Sequence, residues 1–122
     1  MAKMGFVGQA LWLIKQRQFD SAAKMLEAHL NDKDLKHSSK SSIMSWIGEC
    51  YFKSEDRSRA GKWYEMAGRT ALESSELSDK ERSERALREF EQAMDCYRFV
   101  DDIEGLGRLA YLRETVLASK KA

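Results

Sequence analysis

The segment Ile47-Gly-Glu-Cys-Tyr51 is followed at helical intervals by Ala60, Tyr64 and Ala67. Apolar residues three or four positions apart are typical of one face of an α-helix. Two helices cross closely only where both carry little bulk, and aromatic side chains fill the hollows beside such crossings. The segment therefore predicts a closely packed pair of antiparallel helices, and the rest of the chain can be compared with it.

This pattern resembles the tetratricopeptide repeat, a helix-turn-helix unit of about 34 residues. Counted from Ser41, the small positions of the repeat hold Gly48, Ala60 and Ala67, and its aromatic positions hold Tyr51 and Tyr64. One weaker copy fits 38 positions earlier and another fits 45 positions later. Their matching residues are Ala10, Leu13, Phe19, Ala22 and Leu26 upstream, and Ala93, Cys96, Gly105, Leu109 and Leu112 downstream. The resemblance implies an all-α, right-handed superhelix.

Helical periodicity over nearly the whole chain predicts six helices with short joints. The predicted spans are Met4 to Arg17, Phe19 to Leu30, Ser41 to Lys53, a Ser54-capped helix to about Leu77, a helix from the Ser78–Glu81 capping box to about Val100, and a last helix capped by Asp101 and Glu104. The end of the last helix, residues 119–122, is expected to fray.

The predicted domain organisation is a single unit, 1–122, with repeats at about 3–36, 41–74 and 86–119. Residues 31–40 are polar and are predicted to form a connector. The stretch 70–85 is polar or charged on all faces, so we expect it to project into solvent as a helical hairpin.

Composition narrows the class of protein. The chain has 122 residues with no proline and seven glycines, too few turn residues for a typical sheet protein. Its 21 basic and 20 acidic residues nearly balance, which argues against a nucleic-acid or membrane-surface binder. The apolar run 4–14 is about half the length that spans a bilayer and lacks a cleavage site. Two cysteines form no disulfide framework, so we expect a cytoplasmic protein.

The residues that usually carry catalysis or bind metal are sparse. His37 falls in the polar connector and His29 on the inner face of a helix, where packing is the expected role. Cys50 and Cys96 each precede a tyrosine inside a helix and are expected to be buried thiols. No close cysteine pair suggests zinc, and no glycine-rich loop suggests phosphate binding. We therefore expect no enzyme activity, no cofactor, no metal and no small-molecule substrate.

The resemblance implies a concave groove that holds a peptide or helix of a partner protein. In the family, fixed positions on the first helix of each repeat line this groove. Carried over to this chain, those positions hold Met4, Val7, Leu11, Ile14 and Lys15, then Ser42, Ser45, Glu49, Phe52 and Lys53, then Leu87, Phe90, Met94, Tyr97 and Arg98. The predicted groove is apolar inside, with a basic edge of Lys15, Lys53 and Arg98.

The first helix suggests an alternative function, self-assembly into homo-oligomers. It is apolar on every side, whereas the outer face of an end helix in a stack is normally polar. We expect Phe6, Leu11 and Trp12 to contact a second copy, across a two-fold axis in a dimer, or another partner. The competing interpretation is that Trp12 and Leu11 fold against the connector.

Overall fold

Apolar residues at helical spacing form six α-helices in the computed structural model, which describes residues 5–121. They are α1 (Phe6–Lys15), α2 (Phe19–His29), α3 (His37–Lys53), α4 (Arg57–Leu72), α5 (Asp79–Phe99) and α6 (Ile103–Lys121). Across the described range there is no β-strand, which confirms the all-α class. The described helices include none long and apolar enough to cross a membrane.

Each helix packs mainly against the next one along the chain, from α1 through to α6. One cluster of buried apolar residues runs through these contacts. Gly48, Ala60 and Ala67 are buried between the helices, as the sequence predicts. Small residues at these points let the helices approach closely, and larger side chains such as Leu26 and Phe90 fill the remaining space.

The polar connector is shorter than predicted, because α3 begins at His37 and not at Ser41. The extra turn of α3 lies against the connection between α4 and α5. There the backbone N–H of Ser38 donates to Glu76 at 2.6 Å, and Arg85 donates to the Ser38 carbonyl at 3.2 Å. The prediction of a loop over 31–40 is therefore wrong for its last four residues, which gain helical structure from distant partners.

The start of α4 also differs from the prediction. Asp56 is the N-cap, and its carboxylate accepts a hydrogen bond from the backbone N–H of Arg59 at 3.1 Å. Ser54, the predicted cap, instead ends α3, where its hydroxyl donates to the Tyr51 carbonyl at 3.0 Å. An aspartate at this position both satisfies a free N–H and complements the helix dipole.

The connection between α4 and α5 is better packed than predicted. The fourth helix ends at Leu72, not near Leu77, and the Ser78–Glu81 capping box then opens α5 as predicted. Ser74, in the intervening connection, is fully buried, and its carbonyl accepts from Arg82 at 3.0 Å. The stretch 70–85 is therefore not exposed on all faces, and the prediction that it projects freely into solvent is wrong.

The last helix is capped one residue away from the predicted positions. Asp102 accepts from the backbone N–H of Gly105 at 2.9 Å, so neither Asp101 nor Glu104 is the cap. The helix is continuous to Lys121 where fraying is predicted. At the other end, the predicted helix start and groove position at Met4 lie outside the described residues.

Candidate functional site

The same turn joins α1 to α2, α3 to α4, and α5 to α6, and we call each of these helix pairs a hairpin. Arg17, Glu55 and Asp101 all have left-handed backbones, with φ of 61°, 68° and 56°. In each turn this residue's N–H bonds the carbonyl three positions back, and the next N–H bonds the carbonyl five positions back, at 2.9 to 3.3 Å. This is a Schellman motif. The turns are 38 positions apart (17 to 55) and 46 apart (55 to 101), so they define which residues of the three hairpins correspond.

This correspondence corrects the register of the third copy by one residue, because the predicted spacing is 45 and not 46. One residue is a rotation of about 100° around a helix. Phe90, Met94 and Tyr97, predicted to line the groove, are 0%, 5% and 1% exposed and belong to the core. The equivalent groove positions on α5 are instead occupied by Arg88, Glu91, Asp95, Arg98 and Phe99.

Glycines on α4 explain why these aromatic rings point inward. A Cβ atom built on Gly61 would lie 2.7 Å from the Tyr97 ring, and one built on Gly68 would overlap the Phe90 ring. Tyr97 also covers Gly105 of α6, at 2.8 Å from a Cβ built there. Each ring thus fills a space that only glycine leaves open.

Two adjoining depressions run across α1, α3 and α5. One, of about 510 Å³, is lined by Gly8, Leu11, Trp12, Ile14, Lys15, Trp46, Glu49 and Lys53. The other, of about 550 Å³, is lined by Ser45, Trp46, Glu49, Phe52, Lys53, Tyr64, Arg88, Glu89, Gln92 and Asp95. Trp46, Glu49 and Lys53 belong to both, so the depressions adjoin along α3 and are treated together as one groove. We call it the α1–α3–α5 groove.

The groove includes most of the predicted residues of the first two copies but none of those predicted for the third. Leu11, Ile14 and Lys15 meet Glu49 and Lys53 in one depression. Phe52, also predicted, lines the other. Val7 is half-buried and is not among the lining residues of either depression.

The predicted basic edge is only two residues long. Lys15 and Lys53 line the same depression, and Lys53 pairs with Glu49 at 3.3 Å. Arg98 pairs with Asp95 at 2.6 Å and is not among the lining residues. The register position of Lys15 and Lys53 is held on α5 by Phe99. The edge therefore changes from basic to apolar towards α5.

Glu89 is a buried carboxylate in the α5 half of the groove. Its Oε1 atom accepts from the Ser45 hydroxyl at 2.9 Å and lies 3.8 Å from the Arg88 guanidinium. Its Oε2 atom is buried without a hydrogen-bond partner in the described part of the chain. Burial raises the pKa of Glu89, although Ser45 and Arg88 act in the opposite direction. Sequence reasoning did not identify this residue, because a glutamate beside Arg88 reads as solvated surface.

A second buried carboxylate, Glu65 on α4, connects three helices. It accepts from both nitrogens of the Arg108 fork at 2.8 and 2.9 Å, from the Tyr97 hydroxyl at 2.8 Å and from Arg69 at 3.0 Å. Burial raises the pKa of Glu65, but the hydrogen bonds from Arg108, Tyr97 and Arg69 outweigh it, and the net shift is downward. The role of this cluster is to fix α4, α5 and α6 relative to each other.

The Tyr97–Glu65 contact repeats at the preceding joint between hairpins. The Tyr51 hydroxyl lies 3.4 Å from a Glu27 oxygen, and Tyr51 and Glu27 are the register equivalents of Tyr97 and Glu65. The joints between hairpins are thus built alike, with a tyrosine from the later hairpin meeting a glutamate from the earlier one. In the sequence, Glu27 and Glu65 each lie ten positions after the left-handed turn residue of their own hairpin, Arg17 and Glu55.

The thiols and imidazoles lie in structural positions. Cys50 and Cys96 are buried, and burial raises the pKa of Cys50 to about 11, which keeps its thiol protonated. His29 stacks on Phe6 with ring centroids 4.4 Å apart, and His37 lies 3.9 Å from Glu73. Within residues 5–121, no group of three or more His, Cys, Asp or Glu side chains could hold a metal ion.

The outer side of α1 is exposed. Phe6, Leu11 and Trp12, the predicted contacts with a second copy or partner, are 48%, 48% and 52% accessible. Trp12 thus keeps half of its surface in solvent and is not folded away against the connector. Leu11 also lines the α1–α3–α5 groove, so α1 presents apolar surface in two directions.

Comparisons with protein-family models, with curated proteins and with solved structures found no match. The likeness to tetratricopeptide repeats therefore depends on the sequence pattern and on what the three hairpins have in common.

Proposed function

We propose that this chain is a non-catalytic protein-interaction module, a tetratricopeptide-like right-handed superhelix of three hairpins. In this proposal a peptide or helix of a partner protein lies along the α1–α3–α5 groove. The observation that carries the proposal is that two depressions adjoin along α3 and share Trp46, Glu49 and Lys53. Two unpaired buried cysteines suit a reducing compartment, and we place the protein in the cytoplasm on that basis.

The shape and lining of the groove favour a protein segment over a small molecule. Each depression is within the usual size range of ligand pockets, about 300–1,000 Å³, but together they extend across three helices. Leu11, Ile14, Trp46 and Phe52 supply apolar and aromatic surface. Interfaces of this kind bind through a few aromatic contacts with a polar rim.

The charges predict which residues a partner would carry. Near α5, the carboxylates of Glu49, Glu89 and Asp95 line one depression, and so do the aromatic side chains of Trp46, Phe52 and Tyr64. A lysine or arginine side chain fits this combination, since a cation is attracted both to a carboxylate and to aromatic faces. Near α1, Lys15 and Lys53 favour an acidic residue or a free carboxyl terminus. The competing explanation is that these lysines only complement the dipoles of the helices that they end.

Panning a library of random displayed peptides against the chain tests the proposal. We expect selected peptides to combine apolar residues with a lysine or arginine for the α5 end and an acidic residue or free carboxyl terminus for the α1 end. Their affinity, measured by calorimetry, should fall about tenfold or more in Glu89→Gln and in Lys53→Glu, which remove groove charges. The control Lys62→Glu reverses an exposed charge on α4 and should bind normally. Failure to select peptides, or equal affinity for all four proteins, would contradict the groove as a binding site.

Self-assembly is a second candidate function, and the exposure of Phe6, Leu11 and Trp12 favours it. Apolar surface left in water promotes association. Elution volume measured at several concentrations separates the two candidates, because only self-assembly makes the volume depend on concentration. An elution volume that stays that of a monomer at every concentration would point to a foreign partner alone.

A further inference from the structure

We propose that copies of this chain associate head to tail, with the outer face of α6 in one copy packed against the outer face of α1 in the next. This inference rests on the second candidate function and gives it a defined contact. It replaces the expected two-fold α1–α1 contact by one between different surfaces. It shares only Trp12 with the α1–α3–α5 groove, and its α6 surface is no part of that groove, so the two proposals can fail separately.

The proposed contact resembles one that the chain already makes twice, between each hairpin and the next. Between α4 and α5, the Tyr97 ring covers Gly61 and its hydroxyl donates to Glu65. Between α2 and α3, Tyr51 occupies the position of Tyr97 and reaches Glu27. In both joints, the second helix of one hairpin receives the first helix of the next hairpin.

The second helix of the last hairpin repeats the receiving surface, but no described helix covers it. Gly107 is the register equivalent of Gly61, 46 positions later. A Cβ atom built on Gly107 would meet nothing within 4 Å, whereas one built on Gly61 would strike Tyr97. Tyr111, the equivalent of Glu65, is 73% exposed, and Ile103 on the same helix is 79% exposed.

The first helix of the first hairpin repeats the inserting surface. Trp12 and Leu13 are the register equivalents of Cys96 and Tyr97, 84 positions earlier. Cys96 and Tyr97 are each 1% exposed against α4, but Trp12 is 52% exposed. A hollow of about 370 Å³ opens here, lined by Gln9, Trp12, Leu13 and Met25.

The two surfaces match in chemistry as well as in register. At the internal joint a tyrosine meets a glutamate, whereas at the proposed joint Leu13 would meet Tyr111. A polar pair is replaced by an apolar pair on both sides together, and the Tyr111 ring has the hollow beside Leu13 to enter. Glu114 replaces Gly68 at the far end, so the contact centres on Gly107 and Tyr111.

A contact between different surfaces leaves one surface of each kind free at the ends, so growth continues as an open series. Sedimentation velocity of the full chain should therefore show a mean mass that rises with concentration. Trp12→Glu and Tyr111→Glu each block one surface and should both be monomers. Mixed in equal amounts, they should form a dimer and nothing larger, since the intact α6 of one binds the intact α1 of the other.

Gly107→Leu places a large side chain in the open space at Gly107 and replaces glycine by a better helix former. This variant should not assemble, although its fold should stay intact. Met66→Glu, a matched change at an exposed apolar residue of α4, should assemble like the wild type. Three results would overturn the proposal: a wild-type monomer at all concentrations, normal assembly of Tyr111→Glu, or a mixture that remains monomeric. Normal assembly of Tyr111→Glu with a monomeric Trp12→Glu would restore the two-fold α1 contact. Glu89→Gln should assemble normally, because it tests only the groove.

Discussion

Two buried glutamates on neighbouring helices have opposite electrostatic environments. Glu65 is surrounded by hydrogen-bond donors, so its pKa is lowered in spite of its burial. Within the described part of the chain, Glu89 has one donor to one oxygen and none to the other, so burial dominates and raises its pKa. The carboxylate oxygens of Glu65 are both satisfied by donors, whereas one oxygen of Glu89 has no donor among the described residues.

This contrast predicts opposite pH dependence in two matched variants. The lowered pKa of Glu65 means that its stabilising effect is present above the unfolded-state pKa, about 4.3, and is lost as the pH falls through the folded value. Glu65→Gln should therefore cost about 2–3 kcal/mol at pH 7 and much less near pH 3. The raised pKa of Glu89 reverses the sign, so Glu89→Gln should keep or increase stability at pH 7. Urea unfolding at both pH values measures this, and equal losses for Glu65→Gln at both would contradict it.

A pair of helical glycines tests the ring packing. Gly68→Ala would push a methyl group into the fully buried Phe90 ring and should cost about 1–3 kcal/mol through overpacking. The control Gly107→Ala meets open space and should gain about 0.5–1 kcal/mol from helix propensity alone. Thermal unfolding of both variants, in dilute solution, decides the matter. Equal effects of the two changes would mean that the ring is not seated on Gly68.

At the scale of helices and turns, the Schellman motifs use residues with side chains where glycine is usual. A left-handed backbone costs an ordinary L-residue about 1–2 kcal/mol relative to glycine, so Glu55, with φ of 68°, is strained. Glu55→Gly should stabilise the chain by about 0.5–1 kcal/mol after the entropy cost of glycine. Ser54→Gly, one residue earlier at φ of −87°, relieves no strain and should destabilise the chain. Denaturant midpoints compare them, and a loss of stability in Glu55→Gly would contradict the turn geometry.

Sequence patterns could predict most elements, because helix spacing and caps are local. The Ser78–Glu81 capping box and the burial of Gly48, Ala60 and Ala67 agree with the structure. The first turn of α3 could not be predicted, because its polar residues are helical through contacts with Glu76 and Arg85.

The groove residues on α5 could not be predicted, because the large and the small residue of a packed helix pair can change places between hairpins. The small Gly48 of α3 packs against the Tyr64 ring of α4. At the same two register positions, the last hairpin has Met94 on α5 and Ala110 on α6. Packing constrains the combined volume of a pair more than the size of either member. A search for a small residue therefore settles on Ala93, one position early, and every groove residue on α5 shifts with it.

At the scale of the whole molecule, the first helices of the hairpins have two uses. One side of α1, α3 and α5 lines the groove, and another side packs against the preceding hairpin where one is present. On α1 the second side is exposed, and Trp12 lies between the two sides, lining both the groove and the hollow beside Leu13.

The most direct test of the α1–α3–α5 groove as a binding site is a titration of the labelled chain with a selected peptide, followed by amide shifts in nuclear magnetic resonance. We expect the largest shifts along this groove, at Leu11, Trp46, Lys53 and Gln92. Gly107 and Tyr111 on the outer face of α6 should remain unchanged. Shifts confined to α6, or spread evenly over the six helices, would contradict the groove as the site where this protein binds its partner.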